Sequence, residues 1–237
     1  MTPTQRLVFV LRRRPELSRD EFQQYWLGTH APLVAGVAEV LGITRYQQVH
    51  TISEDSTRAA PPFDGVAELR FDPARSSGTR DEQIAAAAML LEDERRFIDL
   101  SASPIWFAAE HVMADGPADA LRSTTAVRRR AGLTREEFQR HWREVHGPLA
   151  VARPDVFGIT RYVQMHTPDD AETYPPAVVR GAPEPYDGLA EVYVTEVDGA
   201  APDAAEVRAA LVADTESIID RDASPRCAGR VHVIVDR

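Results

Sequence analysis

The sequence has no lysine, no asparagine and one cysteine, Cys227, among its 237 residues, so all 27 basic side chains are arginines. Without lysine there is no amine for a Schiff base and none for a phosphate-binding loop, which excludes covalent pyridoxal and class I aldolase chemistry. A lone cysteine excludes disulfides within the chain and cysteine-rich zinc or iron–sulfur centres. Long apolar runs are also missing. Nothing approaches the roughly 20 residues that cross a bilayer, and no basic-then-apolar leader opens the chain. The formal net charge is −10, which disfavours nucleic acid, since a phosphate footprint needs a positive face. The arginine runs at 12–14 and 128–130 are too short to reverse that balance. The expectation is a protein of the reducing cytoplasm, with no nucleic-acid partner and no membrane. What is present suits a folded core: 43% of residues are hydrophobic and 27% charged.

The chain repeats itself. Shifted by 116 residues, LSRDEFQQYWLGTHAPL (17–33) aligns with LTREEFQRHWREVHGPL (133–149), and LGITRYQQVHT (41–51) with FGITRYVQMHT (157–167). Between Arg14 and Thr51, 19 of 38 aligned positions are identical. FDGVAEL (63–69) matches YDGLAEV (186–192) at an offset of 123, and Ser-Pro at 103–104 matches Ser-Pro at 224–225 at an offset of 121. Two units follow, 1–116 and 117–237, with a small, polar junction at 114–123.

Each unit predicts the same elements. A strand covers 6–13, with a poorer counterpart at 123–130. Ser18-x-x-Glu21 and Thr134-x-x-Glu137 are capping boxes that start helices burying Phe22 with Trp26 and Phe138 with Trp142. Pro32 and Pro148 are expected to end or kink these helices just after His30 and His146. ITRYQQVHT and ITRYVQMHT read as strands, and Asp-Gly at 64–65 and 187–188 opens a third. A second helix covers about 81–99 and 203–220, and a last strand about 105–113 and 229–235. The loops before Asp-Gly are Pro-rich, and the longer, at 168–186, reads as irregular or mobile. The class is α+β, with two ferredoxin-like βαββαβ repeats. Packed sheet against sheet, they form a barrel-like body whose interior is expected to hold a small ligand.

The arginine-rich strand end, [ST]-x-x-E-F-x-x-x-W, H-x-P-L, R-Y-x-Q-x-H, D-G-x-A-E and the Ser-Pro before the last strand resemble the EthD family of the dimeric α+β barrel superfamily. The resemblance spans nearly the whole chain, once per repeat. It implies a barrel usually made by two chains and here closed within one, as an intramolecular dimeric α+β barrel. The superfamily it implies includes cofactor-free monooxygenases, polyketide cyclases and dehydratases, isomerases and haem enzymes, and fold does not choose among them.

The candidate chemistry lies on the repeated polar residues. Residues two apart in a strand share a face, so Tyr46, Gln48 and His50 are co-facial, as are Tyr162, Gln164 and His166. Were that face the barrel interior, Tyr and His would form an acid–base pair, imidazole taking a proton while the phenol donates to an oxyanion. His30, Tyr46, His50, His146, Tyr162 and His166 are the catalytic candidates; Gln48, Gln164, Glu68, Glu191, Tyr25 and His141 are the substrate-binding ones. Against this stand structural roles: helix-end bonding for His30 and His146, core packing for the tyrosines, solvent exposure for His50 and His166, and seam packing for His111 and His232. Arg45 and Arg161 fall on the opposite face, where a pair to Asp93 or Asp214 is expected. Histidine and glutamate could ligate a metal, but no HxxxH or HExxH spacing occurs, nor a glycine-rich dinucleotide fingerprint, so the expectation is no cofactor and no metal. The reading is a cofactor-independent dehydratase, cyclase or isomerase acting on a small aromatic or polyketide-like molecule. Its alternatives are a cofactor-free monooxygenase or other oxidoreductase, and a non-catalytic small-molecule-binding protein.

Overall fold

The computed structural model describes residues 5–53, 63–118, 121–171, 174–197 and 201–237. The Pro-rich stretch before the first Asp-Gly lies largely outside them. Strands β1 (Gln5–Leu11), β2 (Ile43–Ser53), β3 (Gly65–Phe71) and β4 (Ile105–Asp115) form one antiparallel sheet in the order β4–β1–β3–β2. Strands β5 (Leu121–Val127), β6 (Ile159–His166), β7 (Gly188–Val194) and β8 (Arg226–Asp236) form another in the order β8–β5–β7–β6. Antiparallel seams β2–β8 and β4–β6 close the eight strands into a barrel, which leaves no strand edge unpaired. Strand β5 starts two residues before the predicted 123, and that extension brings Arg122 into the sheet.

The helices lie outside the barrel: α1 (Arg19–Tyr25), α2 (Ala31–Gly36), α3 (Ala38–Leu41), α4 (Arg80–Glu94), α5 (Arg135–His141), α6 (Gly147–Val151), α7 (Pro154–Phe157), α8 (Pro175–Arg180) and α9 (Ala204–Ile218). Both predicted capping boxes are formed, at Ser18 and Thr134. The prolines do not stop the helices. A π-helical turn, Trp26–His30, carries α1 into α2, and Trp142–His146 carries α5 into α6. The N–H groups of Ala31 and Gly147 reach back to the carbonyls of Trp26 and Trp142. Gln48 and Gln164 donate to those same carbonyls at 3.0 and 2.8 Å. Pro32 and Pro148 then fall in the first turn of the next helix, where a missing N–H costs little. The 168–186 stretch is not wholly irregular either, because it contains α8. That helix packs on the first sheet's side, with Ala177 buried there, Arg180 paired to Glu94 at 2.7 Å and Tyr174 against Phe107 at 4.8 Å.

The Asp-Gly pairs have a packing reason. A Cβ on Gly65 would lie 2.5 Å from the Trp26 ring, and one on Gly188 2.5 Å from the Trp142 ring. Only glycine lets each indole lie on its strand. The preceding Asp64 accepts the backbone N–H of Arg13 at 2.9 Å, and Asp187 that of Arg129 at 3.0 Å.

The barrel interior, expected from sequence to hold a ligand, is occupied by side chains. One end is apolar, with Val8, Val10, Val66, Trp106, Met165 and Leu189 in mutual contact. The other end, at the start of β1 and β5, holds ion pairs. Arg6 bonds Glu110 through Nε and Nη2 at 3.0 and 2.6 Å, and Glu68 through Nη1 at 3.0 Å. Arg122 bonds Glu191 at 2.9 Å and Glu68 as well. Arg6 also meets Glu191, Gln47 donates to Glu68, and Arg70 closes on Glu110 at 2.8 Å. Burial works against both guanidinium charges, but Glu191 and Glu68 outweigh it and hold Arg6 and Arg122 protonated. Burial would raise Glu68, yet Arg122 and Arg6 hold it down at about 2. Burial and the Glu68 charge push Glu191 up.

Breaking a buried network on one side leaves uncompensated charge, which costs about 3–5 kcal/mol. Arg122→Met is therefore expected to lower unfolding free energy in urea by roughly that amount, and Arg122→Met with Glu191→Gln to lower it by less. A loss below about 1 kcal/mol in the single variant would show that the cluster does not hold the barrel closed.

Candidate active site

The strand face carrying Tyr46, Gln48 and His50 does not line the barrel. It faces outward, beneath α1 and its π turn, and the Tyr162, Gln164 and His166 face does the same under α5. Each trio is one hydrogen-bonded chain. Trp26 Nε1 donates to the Tyr46 hydroxyl at 3.1 Å, and Gln48 Nε2 donates to it at 2.8 Å. Gln48 Oε1 then faces His50 Nε2 at 2.8 Å. In the second half the corresponding distances are 3.1, 3.0 and 3.0 Å. An amide oxygen only accepts, so each imidazole carries its proton on Nε2. His50 stacks on Trp26 at 4.6 Å and meets His232 across the β2–β8 seam at 4.6 Å. His166 stacks on Trp142 at 4.8 Å and meets His111 across the β4–β6 seam at 4.5 Å.

Burial, then the facing His232, pushes His50 down to about 3; burial, then His111 and Arg143, does the same to His166. Burial raises Tyr46 and Tyr162 despite the bonds they accept, so both keep their proton. An imidazole that protonates near 3 is a poor proton acceptor at neutral pH. The arrangement suits His50 and His166 to orienting the chain rather than to taking a proton.

His30 and His146 lie elsewhere. Each projects from the π turn toward the second helix of its half, where His30 Nδ1 meets Asp93 Oδ2 at 2.8 Å and His146 Nδ1 meets Asp214 Oδ2 at 2.8 Å. The other carboxylate oxygen takes the Tyr25 hydroxyl at 2.6 Å in the first half and His141 Nε2 at 2.7 Å in the second. The helix-end carbonyl role is thus not what holds these rings. Burial lowers His146, and Asp214 works against that shift.

Two expectations are corrected here. Glu68 and Glu191 sit on the opposite strand face from the tyrosines and are engaged by Arg6 and Arg122, so they do not join the Tyr/His wall. Arg45 and Arg161 do not pair with Asp93 and Asp214 but with Asp236 and Asp115, across the seams. The sequence signal for the histidine partners was present, since Asp93 and Asp214 are related by the same 121-residue offset as the Ser-Pro pairs. Arg6 and Arg122, which are 116 apart, carried an equivalent signal for the buried cluster. A cleft of about 270 Å³ opens beside His166, lined also by His111, Gln139, Arg140 and Arg143.

The EthD domain profile matches residues 14–101 and 130–222, more than half of the chain. The chain belongs to the EthD family. A curated relative, the "conidial pigment biosynthesis dehydratase EthD" of Metarhizium robertsii, is 43% identical over 48 residues, which is 20% of this EthD chain and 34% of that protein. The match thus spans about a third of the relative's length. Among solved structures, a putative monooxygenase from Fusobacterium nucleatum subsp. nucleatum is similar, with a TM-score of 0.53, 9% identity, and coverage of 98% of this chain and 95% of that one. A mutant chlorite dismutase from Candidatus Nitrospira defluvii scores 0.49 at 8% identity, covering 97% and 92%. At 9% identity, the likeness to the monooxygenase structure shows the fold alone. Among the described residues of the EthD chain, no three or more His, Cys, Asp or Glu side chains are grouped to hold a metal. Nor, among them, is any helix long and apolar enough to cross a membrane.

The depressed histidines make stability depend on pH. Their folded pKa of about 3 lies below the ordinary 6.5, so below 6.5 the unfolded chain binds protons that the folded chain refuses. Stability is complete above 6.5 and falls as pH drops toward 3. At pH 5 the loss is on the order of 2 kcal/mol per histidine. The urea midpoint should fall between pH 7.5 and pH 5, and the His50→Gln/His166→Gln variant should show a distinctly shallower fall.

Proposed function

We propose that this EthD chain is a cofactor-independent enzyme of the dehydratase, cyclase or isomerase type, acting by proton transfer on a small aromatic or polyketide-like molecule. In this reading the two sheets are ferredoxin-like units, 1–116 and 117–237, forming a pseudo-dimer within one chain. The β4–β1–β3–β2 and β8–β5–β7–β6 orders support that description. The observation that carries the chemistry is the carboxylate-held histidine, found in both halves at the same 2.8 Å.

The carboxylate fixes the tautomer. Asp93 and Asp214 accept only, so Nδ1 of each histidine carries the proton and the lone pair resides on Nε2. That nitrogen takes a proton from carbon or from water, and the adjacent carboxylate stabilises the imidazolium that results. Tyr25 and His141 hold the second carboxylate oxygen and are positioning groups. Tyr46 and Tyr162 accept from tryptophan and glutamine, which uses their lone pairs and leaves the hydroxyl proton to donate. Because these phenols stay protonated, they serve as hydrogen-bond donors to a carbonyl oxygen as it gains negative charge. The dehydratase name of the curated relative favours loss of water over the other proton-transfer outcomes.

The test uses a panel of hydroxylated cyclic ketones that aromatise on losing water, followed by ultraviolet absorbance and mass spectrometry. His30→Gln/His146→Gln is expected to reduce turnover by about 10²–10⁴-fold, and Asp93→Asn/Asp214→Asn to reduce it by less. The single variants tell whether one half or both carry the reaction. Stoichiometric oxygen uptake would move the protein to the oxygenase class. Ligands that raise the melting temperature yet are recovered unchanged would make it a binding protein.

A further inference from the structure

The cleft beside His166 belongs to neither carboxylate-held histidine. It lies on the outside of the β4–β6 seam, so one wall comes from each sheet: Ala109 and His111 from β4, His166 from β6, and Gln139, Arg140 and Arg143 from α5 and its π turn. A volume of about 270 Å³ suits a single small molecule, just below the usual range of about 300–1,000 Å³ for ligand cavities.

The chemistry of the lining is specific. Arg140 and Arg143 bring two guanidinium groups to the rim of a protein whose net charge is −10, with Glu136 the one carboxylate in the lining. Their present partners hold them weakly. Arg143 meets Glu144 at 2.8 Å and Arg140 meets Glu136 at 4.0 Å, and all four side chains are at the surface. Such exposed pairs are weak and exchange readily for a better acceptor. The inner wall is aromatic. His166 lies flat on Trp142, with 11° between the rings, and His111 meets His166 at 60°. Burial lowers the proton affinity of both imidazoles, with Arg143 adding to the effect at each, so the wall is uncharged at neutral pH and suits an apolar ring.

The first half lacks the helical cations. At the 116-residue offset, Gln24 stands for Arg140 and Leu27 for Arg143, although His50 and His232 repeat the imidazole pair. Shared features therefore account for the rings, and the two arginines are specific to this cleft.

We infer that the cleft at the β4–β6 seam binds a small aromatic carboxylate, with Arg140 and Arg143 on the carboxylate and the ring against His111 and His166. Guanidinium suits this group because its fork of donors matches the two carboxylate oxygens. The inference is independent of the proton-transfer reading and stands if that reading fails.

Benzoate is the probe, with benzamide as its neutral counterpart of the same shape. Titrations followed by ligand-detected NMR and by the ring C–H signals of His111 and His166 should show benzoate binding at least about tenfold more tightly, since bonds to a charged group contribute about 1.5–3 kcal/mol. Arg140→Gln/Arg143→Leu, which installs the first-half residues, should abolish that preference. Both positions are exposed, so the melting temperature of the variant should match that of the parent. If it does not, Arg143→Gln alone should still cut the preference at least threefold. Equal binding of the two probes, no binding of either, shifts at His50 and His232 in place of His111 and His166, or an unchanged preference in the variants would overturn the inference.

Discussion

The buried cluster of Arg6, Arg122, Glu68, Glu191 and Glu110 is the constraint on which the other features depend. It joins β1, β3 and β4 of one sheet to β5 and β7 of the other across the barrel axis. Each guanidinium meets carboxylates from both halves, so the two sheets share their buried charges across the barrel axis. Such networks contribute little net stability against an apolar core of equal volume, but they penalise any arrangement that leaves a member unpaired. Here that penalty favours one register for the two sheets.

Filling the barrel has a consequence for chemistry. With apolar side chains at one end and ion pairs at the other, the polar residues able to react are left on the outer strand face, beneath the helices. The π turns shape that space. They pass Pro32 and Pro148 without breaking the helix, leave the Trp26 and Trp142 carbonyls accepting from Gln48 and Gln164 as well as from the Ala31 and Gly147 N–H groups, and turn His30 and His146 toward the acids of the second helices. π turns recur at functional sites because the extra residue re-aims side chains that a regular helix would align elsewhere.

The two halves keep the same bonding while differing at the edges. Tyr25 and His141 do the same work on their carboxylates with different chemistry. Helix α8, from the chain's second half, covers the first half's core through Ala177 and Arg180. Gln24 and Leu27 against Arg140 and Arg143 change the charge of the surface above an otherwise repeated pair of imidazoles. Internal bonding and outer recognition have thus diverged to different extents in one chain.

Much of this was legible in the residues. The capping boxes, the Phe/Trp spacing, the strand periodicity and the repeated R-Y-x-Q-x-H face determined the elements and their order, because such preferences act over one or two turns or along one strand. The same reading failed where the outcome depends on contacts between distant segments. It left open whether the Tyr/His face lines the barrel, paired Arg45 and Arg161 with the wrong acids, and expected an end or a kink at prolines that the π turns accommodate. A period of two says which residues share a face but not which face meets a helix and which meets the other sheet. That choice follows from packing: Arg6 and Arg122 reach the carboxylates of the facing sheet only in the closed barrel, and with that interior filled the Tyr/His face lies outward beneath the helices.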